Sequence, residues 1–174
     1  MDTRRALFLG VLALALIHGT LYLCIVPPWD HYDEPTHLEY GWLIADRLRL
    51  PHDGEVDPVL RREIAASMLE QGFQHEHTLH PALLPDEGPL QIGLTELDHP
   101  PLYYLLIAVP LRLVRQADVR TQLYVARGVS LLLYLVTIAC AWGVGMDLRP
   151  SSLSLCVPLS LALVLALLPG LWTR

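Results

Sequence analysis

The chain has no lysine; all twelve of its basic residues are arginine. That bias carries no function by itself. The arginines do not gather into a basic patch, which excludes a nucleic-acid reading. Cysteine is scarce: Cys24, Cys140 and Cys156 form no CxxC pair, and the acidic middle of the chain has none. A disulfide-stapled ectodomain is therefore excluded, and the three thiols read as buried membrane residues. No internal repeat and no low-complexity tract interrupts the sequence. No small-x-small cleavage site follows the first apolar run, and Leu23 before Cys24 is a poor lipoprotein signal, so that run reads as an uncleaved span.

What is present is apolar. The 174 residues are 53% hydrophobic with a mean hydropathy of +0.39, and charge is concentrated. Residues 27–100 hold fifteen of eighteen acids, four of twelve arginines and seven of eight histidines, so the segment carries 4 − 15 = −11. Oily runs around one acidic block indicate an all-α membrane protein with one large extracytoplasmic loop. The pattern predicts about four transmembrane helices, over residues 6–26, 101–115, 128–146 and 151–172, in a single membrane domain covering 1–174 with the outer loop at 27–100. The second span is short, with Pro110 expected to kink it. Arg4 and Arg5 mark the N-terminus as cytoplasmic, and with four spans Arg112, Arg115, Arg120 and Arg127 fall on the same side.

Two helices are expected inside the loop. Asp33 or Glu34 can cap one whose first turn contains Pro35, with Leu38, Trp42, Ile44 or Ala45, and Leu48 at helical spacing and Pro51 ending it. Asp57 caps a second that starts at Pro58. Its apolar side is Val59, Leu60, Ile64, Met68 and Leu69, its polar side Arg61, Arg62 and Glu63, and Gly72 follows it. Both read as amphipathic juxtamembrane helices lying on the bilayer surface. Residues 73–98 show no clear period.

Three clusters can carry chemistry. Asp30, His31, Asp33, Glu34 and His37 crowd the exit of the first span. Asp33 and His37 stand four apart and share a helix face, where a carboxylate can accept a proton, hold a divalent cation, or serve only as a helix cap. His75, His77 and His80 with Glu76 offer zinc-type ligands without the second half of a zinc motif; with Asp30 they are the candidate metal residues. Asp98 and His99 precede "PPLYYLL", where backbone N–H groups at a helix start favour anions and Tyr103 and Tyr104 fit an interfacial belt.

The order of these features, an apolar span, then "DEPTHLEYGWLIADRLRLP", an amphipathic loop, "HPPLYYLL" opening the next span, and "ARGVSLLLYLVTIACAWGVG", resembles the N-terminal part of the GT-C superfamily of polytopic membrane glycosyltransferases, nearest the protein O-mannosyltransferase and aminoarabinose transferase type. The resemblance implies an enzyme of a bacterial inner membrane. It would move a sugar from a polyprenyl-phosphate donor to a glycan, lipid or protein acceptor at the extracytoplasmic face. It implies Asp33 as catalytic base with Glu34 beside it, and His37, His99 and Tyr103 as substrate-binding residues. Arg47, Arg49, Arg61, Arg62 and Arg149 are alternative phosphate partners. A divalent cation as cofactor stays open, since metal use varies across the superfamily. Family members carry more spans, so the expectation is a piece of a longer module or a short protein that cannot complete the site alone. The competing expectation is a non-catalytic membrane protein whose acidic, His-rich loop binds metal or a partner.

Overall fold

The computed structural model of the chain describes residues 3–31, 33–72, 92 and 95–148. Among them the protein is all-helical: α1 (Thr3–Ile25), α2 (Glu34–Arg47), α3 (Pro58–Glu70), α4 (Leu102–Leu113) and α5 (Val119–Leu148), with no strand. The chain divides into two compact units, Val26–Val129 and the remainder, with α5 contributing its start to the first and the rest of its length to the second.

The apolar unit pairs α1 with the later turns of α5. Gly19 meets Leu131, Ala15 and Ile138 are both buried in one small cluster, and the rings of Phe8 and Trp142 lie 5.3 Å apart. Rising numbers in α1 match falling numbers in α5, so the two run antiparallel. At about 1.5 Å per residue, the 23 residues of α1 reach past a bilayer core of roughly 30 Å. Only 6% of its apolar window and 11% of that in α5 are buried, whereas the core helix of a soluble protein would be mostly covered. Two helices are thus long and apolar enough to cross a membrane. Cys24 and Cys140 are free thiols on the exposed surfaces of these helices. The expected span at 151–172, with Cys156 in it, lies outside the described residues.

The second unit is built on α2. Its start follows from Pro35, whose fixed φ suits a first turn and whose missing N–H costs nothing there. Its end is set by Leu48, which adopts φ 54°, ψ 31° and donates its N–H to the Ile44 carbonyl. Asp57 accepts hydrogen bonds from Val59 and Leu60 N–H at 3.1 and 2.9 Å, capping α3 as its sequence predicts. The apolar core joins Leu38, Tyr40 and Ile44 of α2, Leu60 and Ile64 of α3, Tyr104, Ile107 and Leu111 of α4, and Leu123 of α5.

α2 and α4 lie parallel, since His37 meets Tyr104, Gly41 meets Ile107 and Leu111, and the Ala45 carbonyl meets Arg112. A Cβ at Gly41 would sit 2.4 Å from Ile107 Cδ1, so the glycine is what lets this helix pair close.

The structure departs from sequence expectation in four places. α2 is not a surface-lying helix: nine of its fourteen residues are buried, because α3, α4 and the Trp29 turn cover it on several sides. In α3 the faces differ from the pattern, for Val59 is 67% exposed while Arg61 is buried with Glu39. The expected span at 101–115 is a helix of twelve residues, about 18 Å long, and it buries Tyr104, Ile107, Ala108 and Leu111 in the unit's core. The arginines expected across the membrane meet residues of the acidic segment instead. Arg112 donates to the Ala45 carbonyl at 2.7 Å, Arg115 pairs with Asp46 at 3.2 Å, and Arg127 pairs with Glu34 at 2.6 Å. Contacts this short cannot straddle a bilayer.

Candidate functional site

Asp33 occupies the N-cap position of α2, yet its carboxylate makes no capping hydrogen bond. Its backbone does the work of the turn, with its carbonyl accepting from His37 N–H at 3.0 Å. The carboxylate itself is exposed and uncommitted. The contrast with Asp57 removes helix capping as the reason for an acid at this position.

One turn on, His37 Nδ1 lies 2.7 Å from the Tyr104 hydroxyl, and the two rings stack with centroids 5.8 Å apart. Tyr104 in turn stacks on Tyr40 at 3.8 Å. Burial pushes the Tyr104 phenol well above the usual tyrosine range, and the negative charge of Glu96 pushes it the same way. The phenol therefore stays protonated and neutral, a fixed partner for the imidazole. Burial also raises the Tyr40 phenol.

Glu96 completes the cluster. Its residue surface is 6% exposed, although it comes from an irregular segment. The Thr36 hydroxyl lies 3.4 Å from Glu96 Oε1 and 3.0 Å from the Asp33 carbonyl; with one proton it donates to one at a time. The second carboxylate oxygen meets His99 Nδ1. The His99 ring faces His37 with centroids 6.0 Å apart. Asp33, His37 and Glu96 each offer a ligating atom, all within 4.8 Å of one another. An exposed carboxylate, two imidazoles, a buried carboxylate and a neutral phenol thus meet at the start of α2. Such a set can take a proton, orient a hydroxyl, or hold a cation.

The sequence-predicted residues separate into groups. Asp33, His37 and His99 come together, although the last is 62 positions from the second (99 − 37). Tyr103 packs edge-on against Tyr104 at 5.3 Å, one ring removed from the cluster. Glu34 does not join them. Its carboxylate takes a two-pronged pair from Arg127, Nε to Oε1 at 2.6 Å and Nη2 to Oε2 at 2.8 Å, and accepts the Trp29 N–H at 2.9 Å. Its chemistry is that of a structural clamp. Asp30 is exposed and outside the cluster, and His75, His77 and His80 lie outside the described residues. Of the arginines considered for phosphate, Arg47 and Arg49 share Glu55 and Arg61 is held by Glu39. Arg149 lies outside the described residues, and Arg62 makes no ion pair among them.

Sequence reasoning missed Glu96 and Thr36 as site residues, and valued Tyr104 only for its aromatic character. The one available signal was Glu96 standing three residues before His99. Its burial depends on how residues 95–99 fold onto α2, which no local pattern encodes. Comparison of the chain with protein-family models, with curated proteins and with solved structures finds no match in any of the three.

Proposed function

We propose that the chain is a membrane glycosyltransferase, or the N-terminal part of one, in which Asp33 is the general base for transfer of a sugar from a polyprenyl-phosphate carrier to an acceptor at the extracytoplasmic face. The observation that carries this reading is the uncommitted Asp33 carboxylate at the N-cap of α2, surrounded by His37, Glu96, His99 and Tyr104. The two sequence stretches behind the GT-C resemblance, "DEPTH" and "HPPLYY", supply four of those five residues, and they meet in space. α1 and α5, with residues 26–118 between them in the chain, suit an integral membrane protein with its N-terminus cytoplasmic and those residues outside.

In the proposed reaction the acceptor hydroxyl attacks the anomeric carbon and gives its proton to the Asp33 carboxylate. The bond from that carbon to the phosphate oxygen breaks, and its electron pair leaves with polyprenyl phosphate. A preformed carboxylate beside the nucleophile contributes through position and through proton acceptance, each worth orders of magnitude in rate. His99, whose side chain is 59% exposed, is placed to hydrogen-bond the acceptor or the departing phosphate.

The test is Asp33→Asn in membranes supplied with a polyprenyl-phosphate-linked sugar. Transfer is expected to fall at least 100-fold, with membrane insertion unchanged. Transfer retained by the variant would remove Asp33 from the chemistry.

A further inference from the structure

Among the described residues of the Val26–Val129 unit, each acid that is not exposed has an arginine within 4.0 Å, with one exception. Glu34 has Arg127, Glu39 has Arg61, Asp46 has Arg115, and Glu55 and Asp57 share Arg47. Among the described residues Glu96 alone has no guanidinium; it meets only a hydroxyl and the imidazole of His99. A carboxylate taken out of water without a fixed cation is costly, and it sits beside a second carboxylate, Asp33. The lack of a permanently charged partner, with only the His99 imidazole against it, is the first argument. The second is ligand chemistry, for the same place holds an imidazole, and the atoms of Asp33, His37 and Glu96 lie at most 4.8 Å from one another.

We propose that Asp33, His37 and Glu96 form a binding site for one divalent transition-metal ion of the zinc type. Mixed imidazole and carboxylate donors suit zinc and its neighbours better than magnesium or calcium, which favour all-oxygen shells. Three protein ligands with an open fourth position are the arrangement of reactive rather than structural zinc sites. A tetrahedral ion with bonds of about 2.1 Å needs its donors about 3.4 Å apart. Asp33 is exposed and free to close the difference. The surroundings match what metal ligands require of their neighbours: the Tyr104 hydroxyl orients the His37 ring, and Thr36 and His99 hold Glu96. Asp33 has two oxygens, so one can bind the ion while the other still faces an acceptor hydroxyl. The site does not depend on the transferase reading.

The experiment is titration of the metal-stripped full chain in detergent with Zn2+ against a chromophoric chelator, paired with the absorption spectrum of the Co2+ form. The wild type is expected to bind one ion per chain and to show the intense visible bands of four-coordinate cobalt. Glu96→Gln and His37→Ala are each expected to weaken binding at least tenfold. His99→Ala should weaken it less, and the triple change of His75, His77 and His80 to Ala should leave it unchanged. Glu96→Gln keeps size and shape, so it remains informative if His37→Ala fails to fold, as judged by circular dichroism. Binding that survives Glu96→Gln, or that is lost only in the triple variant, overturns the proposal. Absent binding together with loss of transfer in Asp33→Asn would overturn the metal site and leave the transferase reading standing.

Discussion

Asp33 and Glu34 are neighbours of like charge with opposite roles. Glu34 is held by Arg127 with both side chains nearly covered, 11% and 12% exposed. Arg127 also donates to the Val26 and Pro27 carbonyls, so the pair fastens the Pro27–Trp29 turn to α5. Trp29 itself is fully buried at φ 70°, outside the range most side chains favour. Its indole N–H donates to Ser67 Oγ at 3.0 Å and its backbone N–H donates to Glu34, and together these offset the strain. Removing one partner of a nearly buried pair leaves the other charge stranded. Glu34→Gln is therefore expected to destabilise the chain by about 3 kcal/mol, whereas Asp33→Asn, which breaks no cap, should stay within about 0.5 kcal/mol of wild type. Thermal melts of both variants in detergent check this; equal losses would make Asp33 a structural residue after all.

At the level of elements, α2 is tied to α3 by charge and to α4 by close packing. Glu39 and Arg61 are both buried, with Nε to Oε1 and Nη2 to Oε2 each at 2.7 Å, and Glu39 Oε1 also accepts the Asp57 N–H at 3.2 Å. The bond to Asp57 joins this pair to the residue that caps α3. Glu39→Ala should cost about 3–5 kcal/mol by leaving Arg61 uncompensated, while replacing both residues with apolar ones of like volume should cost far less. A double variant as unstable as the single would show that the ion pair has a role beyond its own neutralisation. The starts and stops of α2 and α3 were legible, because Pro35, Pro51, Asp57, Pro58 and Gly72 act on the backbone within a turn or so. Which sides they bury was not. Arg61 read as solvated from its neighbours in sequence, but its partner lies 22 residues away (61 − 39).

For the whole molecule the arginine pattern misled where it was read as a count of charges on one side. Arg127 lies within the acidic unit because Glu34, 93 positions earlier, satisfies it there. The segment at 101–115 looked like a span because it is apolar, yet a helix that buries Tyr104, Ile107, Ala108 and Leu111 in its own unit's core is apolar on that side for a different reason: its protein neighbours exclude water. In a variant with all three cysteines changed to Ser, single cysteines placed at Asp53 and Arg120 should both react with a membrane-impermeant thiol reagent from the same side. Labelling from opposite sides would restore a span between them.

Local composition alone was enough for the all-helical class, the two long apolar helices and the residues that begin α2 and α3. These depend on hydropathy over one segment and on hydrogen bonds reaching three or four residues. Only the tertiary structure decided that Asp33 is free and Glu34 engaged, that Glu96 is buried without an arginine, and that His37, His99 and Tyr104 share one place. Those outcomes rest on contacts between residues some 60 to 90 positions apart. The partner that neutralises or orients a side chain is chosen by packing, and a linear pattern carries no record of that choice.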